Sequence, residues 1–242
     1  MSQTLDGRGI IVVGASSGMG RATALALASA GAHVVAAARR MSALEHLTRE
    51  AAPLGDQIEP CEVDVTQRAS VDRLIEFAGQ RLPRIDTLIY ASGTNLPQRS
   101  LKQLSVEGWQ SLIDTNLTGA FHCTQAVLPV FREAGGGLLI FISSAAVQHP
   151  DVSGAAYQAS KHGMKGLAAA TRVEERQHGV RVTTLYPGLC DTEILAKRPA
   201  PTPTDILQHA LQPEDVAAAV QFVCELPERV VVPEMEMLPS RV

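Results

Sequence analysis

The sequence predicts a doubly wound α/β fold in one domain, a mostly seven-stranded parallel sheet with helices on both faces. Three observations carry that expectation. Short β-branched apolar runs alternate with Ala- and Leu-rich stretches at intervals of about 25 to 35 residues, the mark of repeated βαβ units. The first of these runs leads directly into a cluster of glycines. The chain has 242 residues and is 45% apolar, enough to bury one large core.

Residues 9–13 form an apolar run suited to a strand buried on both faces. The loop Gly14-Ala15-Ser16-Ser17-Gly18-Met19-Gly20 follows, and residues 21–30 read as a helix. A strand, a glycine loop and a helix in that order let backbone amides and a helix N-terminus hold a phosphate. An ordinary Gly-rich turn is the other reading of this motif, and its setting favours binding. The second strand, residues 33–38, ends in Ala38-Arg39-Arg40. Many dinucleotide sites place an acid there for the adenosine ribose 2′-hydroxyl. Two arginines in its stead suit a 2′-phosphate, through charge-assisted hydrogen bonds, and favour NADP(H) over NAD(H).

Residues 41–52 are helical in pattern, 57–65 a strand ending in Asp64-Val65, 71–81 a helix, and 87–90 a fourth strand running into Ala91-Ser92-Gly93. Ligands of such folds bind at the carboxyl ends of strands, where Asp64 and Gly93 stand. Residues 106–131 read as one long, mostly helical stretch, in which Asn116 is either a satisfied structural amide or part of a proton relay; the residues alone favour the amide. Three glycines, 135 to 137, end it. Residues 138–143 form the fifth strand, and the loop 145–154 is able to border a pocket. A helix then extends to about residue 177. Its small residues Ala159, Gly163, Gly166 and Ala170 suit either a contact between copies of the chain or tight packing on its own sheet. The sixth strand, 180–186, ends at Pro187-Gly188. The Pro-rich segment 189–212 has the length and position of a substrate-binding flap. A helix over 213–226 and an apolar run over 230–238 follow.

Within this frame, Tyr157 and Lys161 are four residues apart on one helix face, and Ser144 stands at the mouth of the fifth strand. A fixed positive charge favours a phenolate and lowers the phenol's pKa from its usual value of about 10. The group therefore reads as a proton donor, its tuner and a hydroxyl that polarises a substrate oxygen.

Composition excludes several classes of function. A net charge of −4 with interleaved signs leaves no footprint for nucleic acid or an anionic membrane. Cys61, Cys123, Cys190 and Cys224 are widely spaced and read as reduced, mostly buried, inert thiols. The seven histidines form no ligand cluster, so no metal is expected. No signal peptide or long apolar span is visible, and a cytoplasmic protein is the default.

Taken together, the motifs resemble the short-chain dehydrogenase/reductase family over almost the whole chain, which implies a Rossmann-like fold. Gly14, Gly18 and Gly20, with Ser16, Ser17 and Met19, are similar to its cofactor loop, and Asp64, beside Val65, is similar to its adenine-contacting acid. Asn116, Ser144, Tyr157 and Lys161 resemble its catalytic tetrad. Pro187-Gly188 with Thr192 resembles the segment that holds the nicotinamide carboxamide. The Ala38-Arg39 pair and the C-terminal Pro-Glu-Met-Glu-Met-Leu-Pro segment look most like the NADP-preferring bacterial carbonyl reductases. The resemblance implies an NADP(H)-dependent oxidoreductase that interconverts a carbonyl compound and its alcohol. It also implies a homodimer or homotetramer, joined through the helices that carry Asn116 and Tyr157. Two positions depart from the family pattern: Val13 replaces a threonine, and Tyr90-Ala91-Ser92-Gly93 replaces Asn-Asn-Ala-Gly, whose amide side chains brace the central sheet. Two other functions share parts of this pattern, a catalytically silent NADP-binding partner protein and a methyltransferase with a similar glycine loop. The second has no need of Tyr157 and Lys161 at this spacing.

Overall fold

The computed structural model describes residues 4–55 and 57–241. Seven parallel strands form one sheet in the order β3-β2-β1-β4-β5-β6-β7. They are β1 Gly9–Val13, β2 His33–Ala38, β3 Ile58–Glu62, β4 Thr87–Tyr90, β5 Gly137–Ile142, β6 Val180–Pro187 and β7 Glu234–Met237. The helices are α1 Gly18–Ser29, α2 Met41–Ala51, α3 Arg68–Arg81, α4 Val106–Ile113, α5 Gly119–Glu133, α6 Ala155–Glu174, α7 Thr204–Leu207 and α8 Pro213–Glu225.

The pleat explains the two layers of helices. Ile10, Val12, Val34, Ala36 and Ile140 point to one face and pack with Leu27 of α1, Leu44 of α2 and Val220 of α8. Their neighbours Ile11, Val13, Val35, Ala37 and Phe141 point to the other and pack with Leu74 of α3, Val127 of α5 and Met164 of α6. Each fully buried Val, Ile or Leu contributes about 1.5–3 kcal/mol. A central strand that is apolar at every position therefore belongs between two helix layers. The chain runs outward from β1 to β3, then returns to β4 on the other side of β1. The resulting crevice, between the carboxyl ends of β1 and β4, is where such folds bind ligands.

Several boundaries differ from the sequence reading. Residues 57–65 were expected to be extended throughout, but β3 ends at Glu62. Val63 still donates to the Ala38 carbonyl at 3.0 Å; then the Asp64 carboxylate accepts from the Thr66 amide and turns the chain. The third helix starts at Arg68, three residues before its expected first turn. Residues 106–131 are not one regular helix. Ser105 caps α4 by accepting from the Gly108 amide at 3.0 Å, and a π-helical turn, Asp114–Thr118, separates α4 from α5. Such turns insert an extra residue and re-aim side chains; this one holds Asn116, fully buried. The sixth helix ends at Glu174, because a 3₁₀ turn and left-handed Gly179, φ +74°, redirect the chain. Of residues 230–238 only Glu234–Met237 joins the sheet, as an edge strand.

The segment 189–212 is more ordered than its composition suggested. It contains a 3₁₀ helix, Glu193–Lys197, and α7. Its ends are stitched together where the Leu211 amide donates to Leu189 at 2.9 Å and the Asp191 amide to Leu211 at 2.8 Å. A Cβ on Gly163 would lie 2.5 Å from Leu117, so that glycine serves internal packing, whereas Gly166 faces open space.

Candidate active site

One cavity of about 1030 Å³ opens at the switch point, and it gathers residues from all the strand ends that the sequence singled out. On its β1 side the walls are backbone. Gly14 has φ +94°, and a Cβ there would come within 2.6 Å of the Ser92 amide nitrogen. A Cβ on Gly20 would overlap the Gly14 carbonyl oxygen. Only glycine permits both the turn and the approach of the loop to the residues after β4. Ser17 precedes α1 without a side-chain cap, so the first-turn amides of that helix keep their donors for another partner. A bare, amide-rich cradle at a helix N-terminus fits a dinucleotide pyrophosphate.

The rest of this side fits the same group. Ala38, Arg39 and Arg40 line the cavity beyond β2, and Arg40 donates to the Ser16 hydroxyl at 3.2 Å. Both arginines are exposed. Asp64 uses one carboxylate oxygen on Thr66. Val65 lines the cavity; it is buried, and its carbonyl is paired with the His122 ring at 2.9 Å. Ala91 is fixed by its amide, which donates to Val13 at 2.8 Å. Pro187 closes β6, Gly188 donates to the Met237 carbonyl at 2.8 Å, and Thr192 lies against Gly18.

The other side is built of side chains. Lys161, on α6, crosses to β5 and donates from Nζ to the Ile142 carbonyl at 3.0 Å. Ser144 follows that strand end and accepts from the Ala146 amide at 3.2 Å. The Lys161 ammonium is 5.7 Å from the centroid of the Tyr157 ring. Burial drives the Lys161 pKa down to about 8. The Tyr157 phenol moves upward, because burial outweighs the hydrogen bond with Ser144 and the charge of Arg99, which act downward. This corrects the expectation that Lys161 holds the phenol below its usual value: Ser144 and Arg99 provide the downward pull, and the net shift is up.

Asn116 is a braced amide. Its Oδ1 accepts from the Thr94 amide at 2.8 Å, while Nδ2 donates to the Thr94 carbonyl at 3.1 Å and to Ser160 Oγ at 3.0 Å. Gly93 lies between Asn116 and Lys161: a Cβ there would be 3.5 Å from Nζ and 3.8 Å from Oδ1. Tyr90, where the family pattern has asparagine, is buried in the sheet and donates its hydroxyl to the Thr115 carbonyl, next to Asn116. It supplies a brace between β4 and the π-helical turn by a different route. Sequence reasoning passed over Arg99, which lines the same cavity with only 9% of its surface exposed. Its position in an irregular segment gives no periodicity from which to find it.

Among the described residues no group of three or more His, Cys, Asp or Glu side chains is placed to hold a metal ion, and no helix is long and apolar enough to cross a membrane. All four cysteines are free; Cys123, Cys190 and Cys224 are buried, and burial pushes each of these thiols up to about 12.

A parallel, doubly wound sheet with a glycine cradle at its switch point and a tyrosine-lysine pair over the neighbouring strand end defines a nucleotide-binding class of α/β protein. The chain belongs to the short chain dehydrogenase family, whose model matches residues 8–202. It is 33% identical over 244 aligned positions to an uncharacterised oxidoreductase of Listeria monocytogenes, an alignment that covers 98% of each chain. Among solved structures it is similar to an alcohol dehydrogenase of Thermococcus sibiricus complexed with 5-hydroxy-NADP, with TM-score 0.88, 26% identity and 97% of both chains covered. It is also similar to the closed form of a serine dehydrogenase complexed with NADP+, with TM-score 0.84, 31% identity, and 94% of this chain and 93% of that one covered.

Proposed function

We propose that this oxidoreductase interconverts a ketone or aldehyde and the corresponding alcohol with NADP(H), using Tyr157 as general acid and base. The observation that carries this reading is the meeting of Ser144, Tyr157 and Lys161 in one cavity with the glycine cradle. The names of two similar structures, an alcohol dehydrogenase and a serine dehydrogenase, support a hydroxyl-bearing substrate. NADP(H) is supported by the exposed Arg39 and Arg40 beyond β2, by the absence of an acid there, and by the NADP ligands of both structures.

Gly14, Ser16, Ser17, Gly18, Met19 and Gly20 would receive the pyrophosphate, Ala38 to Arg40 the 2′-phosphate, Asp64 and Val65 the adenine, Ala91 to Gly93 the adenosine side, and Pro187, Gly188 and Thr192 the carboxamide. The bound nicotinamide supplies or accepts the hydride. In reduction, Tyr157 gives its phenolic proton to the oxygen of the carbonyl as that oxygen gains charge. Ser144 donates a hydrogen bond to the same oxygen. Lys161 would hold the nicotinamide ribose and return a proton to Tyr157, with solvent replenishing Lys161. Asn116 has both amide donors committed to Thr94 and Ser160, so its part is to hold this corner rigid and to offer the remaining lone pair of Oδ1 to a water beside Lys161. In alcohol oxidation every transfer reverses.

The flap 189–212 would close over the substrate. Association of copies through α5 and α6 is supported by apolar side chains left exposed on them, Phe121 and Val173. Free thiols support a reducing, cytoplasmic setting. The direct test follows NADPH absorbance against a panel of ketones and aldehydes, with NADH as control. Oxidation of NADPH by some members, faster than that of NADH, is expected. NADPH binding without turnover across the panel would instead favour a silent NADP-binding protein.

A further inference from the structure

The substrate side of the cavity contains a cation with no ion-pair partner among the described residues. Arg99 is nine-tenths buried, its Nε is enclosed without a hydrogen-bond partner, and among the described residues its side chain forms no hydrogen bond or ion pair. Burying a guanidinium unpaired is unfavourable unless a ligand completes it. The surroundings hold it in place. Gly154, the residue before α6, has φ +94°, and a Cβ there would come within 2.8 Å of Arg99 Cβ and 2.6 Å of its carbonyl oxygen. Only a bare glycine lets the arginine stem lie against the start of the helix that carries Tyr157. Asn95, also buried, fastens the loop from the other end by donating to the Ser153 carbonyl at 3.0 Å.

A second cation reaches the same wall from the flap. Arg198 gives one nitrogen to Thr202 at 3.0 Å, and its charge, after burial, is what lowers the Arg99 pKa. Neighbouring Lys197 is tied to Thr94 at 2.6 Å, which fixes the flap to the loop. Asp151 is the nearby anion; its carboxylate accepts from the Ser153 amide at 2.9 Å and from the Ser153 hydroxyl, and it makes no ion pair with Arg99. Its charge opposes a dianion in this space, and a planar guanidinium fork matches the two oxygens of a carboxylate. Gly154 and Tyr157 are one helical turn apart, about 5 Å along the axis. Arg99 and Tyr157 line the same cavity and the Arg99 charge acts on the phenol, so an anion against Arg99 shares that space with an oxygen at the phenol.

We propose that Arg99, assisted by Arg198, binds the carboxylate of the substrate, so that the protein acts on short hydroxy acids and their keto acids. This rests on the hydride-transfer reading of the site. The reaction is then hydroxy acid plus NADP+ giving the oxo acid (a keto acid from a secondary alcohol, an aldehyde acid from a primary one), NADPH and a proton, the alcohol losing a hydride from carbon and a proton from oxygen.

The test measures NADP+-linked oxidation of 3-hydroxypropionate, 3-hydroxybutyrate and 3-hydroxyhexanoate against their neutral methyl esters, with glycerol 3-phosphate as a phosphate control. Wild type is expected to favour the best acid over its ester by about 100-fold in kcat/KM, and Arg99→Met to reduce that ratio about 100-fold, chiefly through KM. Arg198→Met should reduce it by about threefold to tenfold. Equal use of acid and ester by wild type, a preference for the phosphate, or an unchanged ratio in Arg99→Met overturns the proposal; if Arg99→Met fails to fold, the wild-type ratio and Arg198→Met decide. Calorimetric titration of the acids into NADP+-loaded protein separates the two readings. Acid binding that requires Arg99, without turnover of any compound, keeps the anion site and removes the oxidoreductase. NADPH-driven reduction of neutral ketones without acid binding removes the anion site alone.

Discussion

The cavity has two halves that are made differently. The half beside β1 is formed by main chain, at Gly14, Gly20 and the unpaired amides at the start of α1. The half beside β5 is lined by Ser144, Tyr157, Lys161 and Arg99, which come from three separate segments, with Asn116 bracing it from behind through Thr94. A backbone cradle recognises what all dinucleotides share. Side chains converging from distant segments set the proton chemistry and the choice of substrate, and they can change one at a time without disturbing the cradle.

The strongest way to break this division is Tyr157→Phe, which removes only a hydroxyl from the side-chain half. Turnover should fall by about 10²- to 10⁴-fold while NADPH titration by fluorescence still shows binding. Activity within tenfold of wild type would mean that the proton comes from elsewhere.

Next comes Lys161, whose pKa of about 8 in the folded chain lies below the 10.5 of an ordinary lysine. Between those values the unfolded chain binds a proton that the folded chain does not, so the lysine's penalty on stability is full below pH 8 and disappears as pH rises to 10.5. Over that window denaturant unfolding should show wild type gaining about 3 kcal/mol relative to Lys161→Met. A constant difference would mean that the ammonium is not desolvated by folding.

The smallest effect is expected at the rim of the cradle. Replacing Arg39 and Arg40 together by alanine should lower the preference for NADPH over NADH by about 10-fold, because both side chains are exposed and their pairing with a phosphate is screened. Unchanged preference in steady-state kinetics would shift cofactor selection to the backbone half.

The two halves were also unequally legible. The glycine spacing, the apolar strands and the Tyr157 to Lys161 interval are local patterns, and each could be read from residues close in sequence. Asn116 was legible as a buried amide, and its partners were not, since Thr94 and Ser160 lie 22 and 44 residues away. Tyr90 looked like a missing brace; it became a brace once the π-helical turn brought Thr115 within reach of its hydroxyl. The flap's Arg198 gives no sign in the sequence of the cation it joins, because Arg99 sits in an irregular loop almost a hundred residues earlier.

By itself, the sequence determined the parallel sheet, the position of its switch point and the phosphate cradle, because hydrophobic period and glycine conformation act over a few residues. Only the tertiary structure decided the upward shift of the Tyr157 phenol, the downward shift of Lys161 and the isolation of Arg99. Those depend on desolvation and on charges brought together from distant parts of the chain, and neither exists until the core has closed.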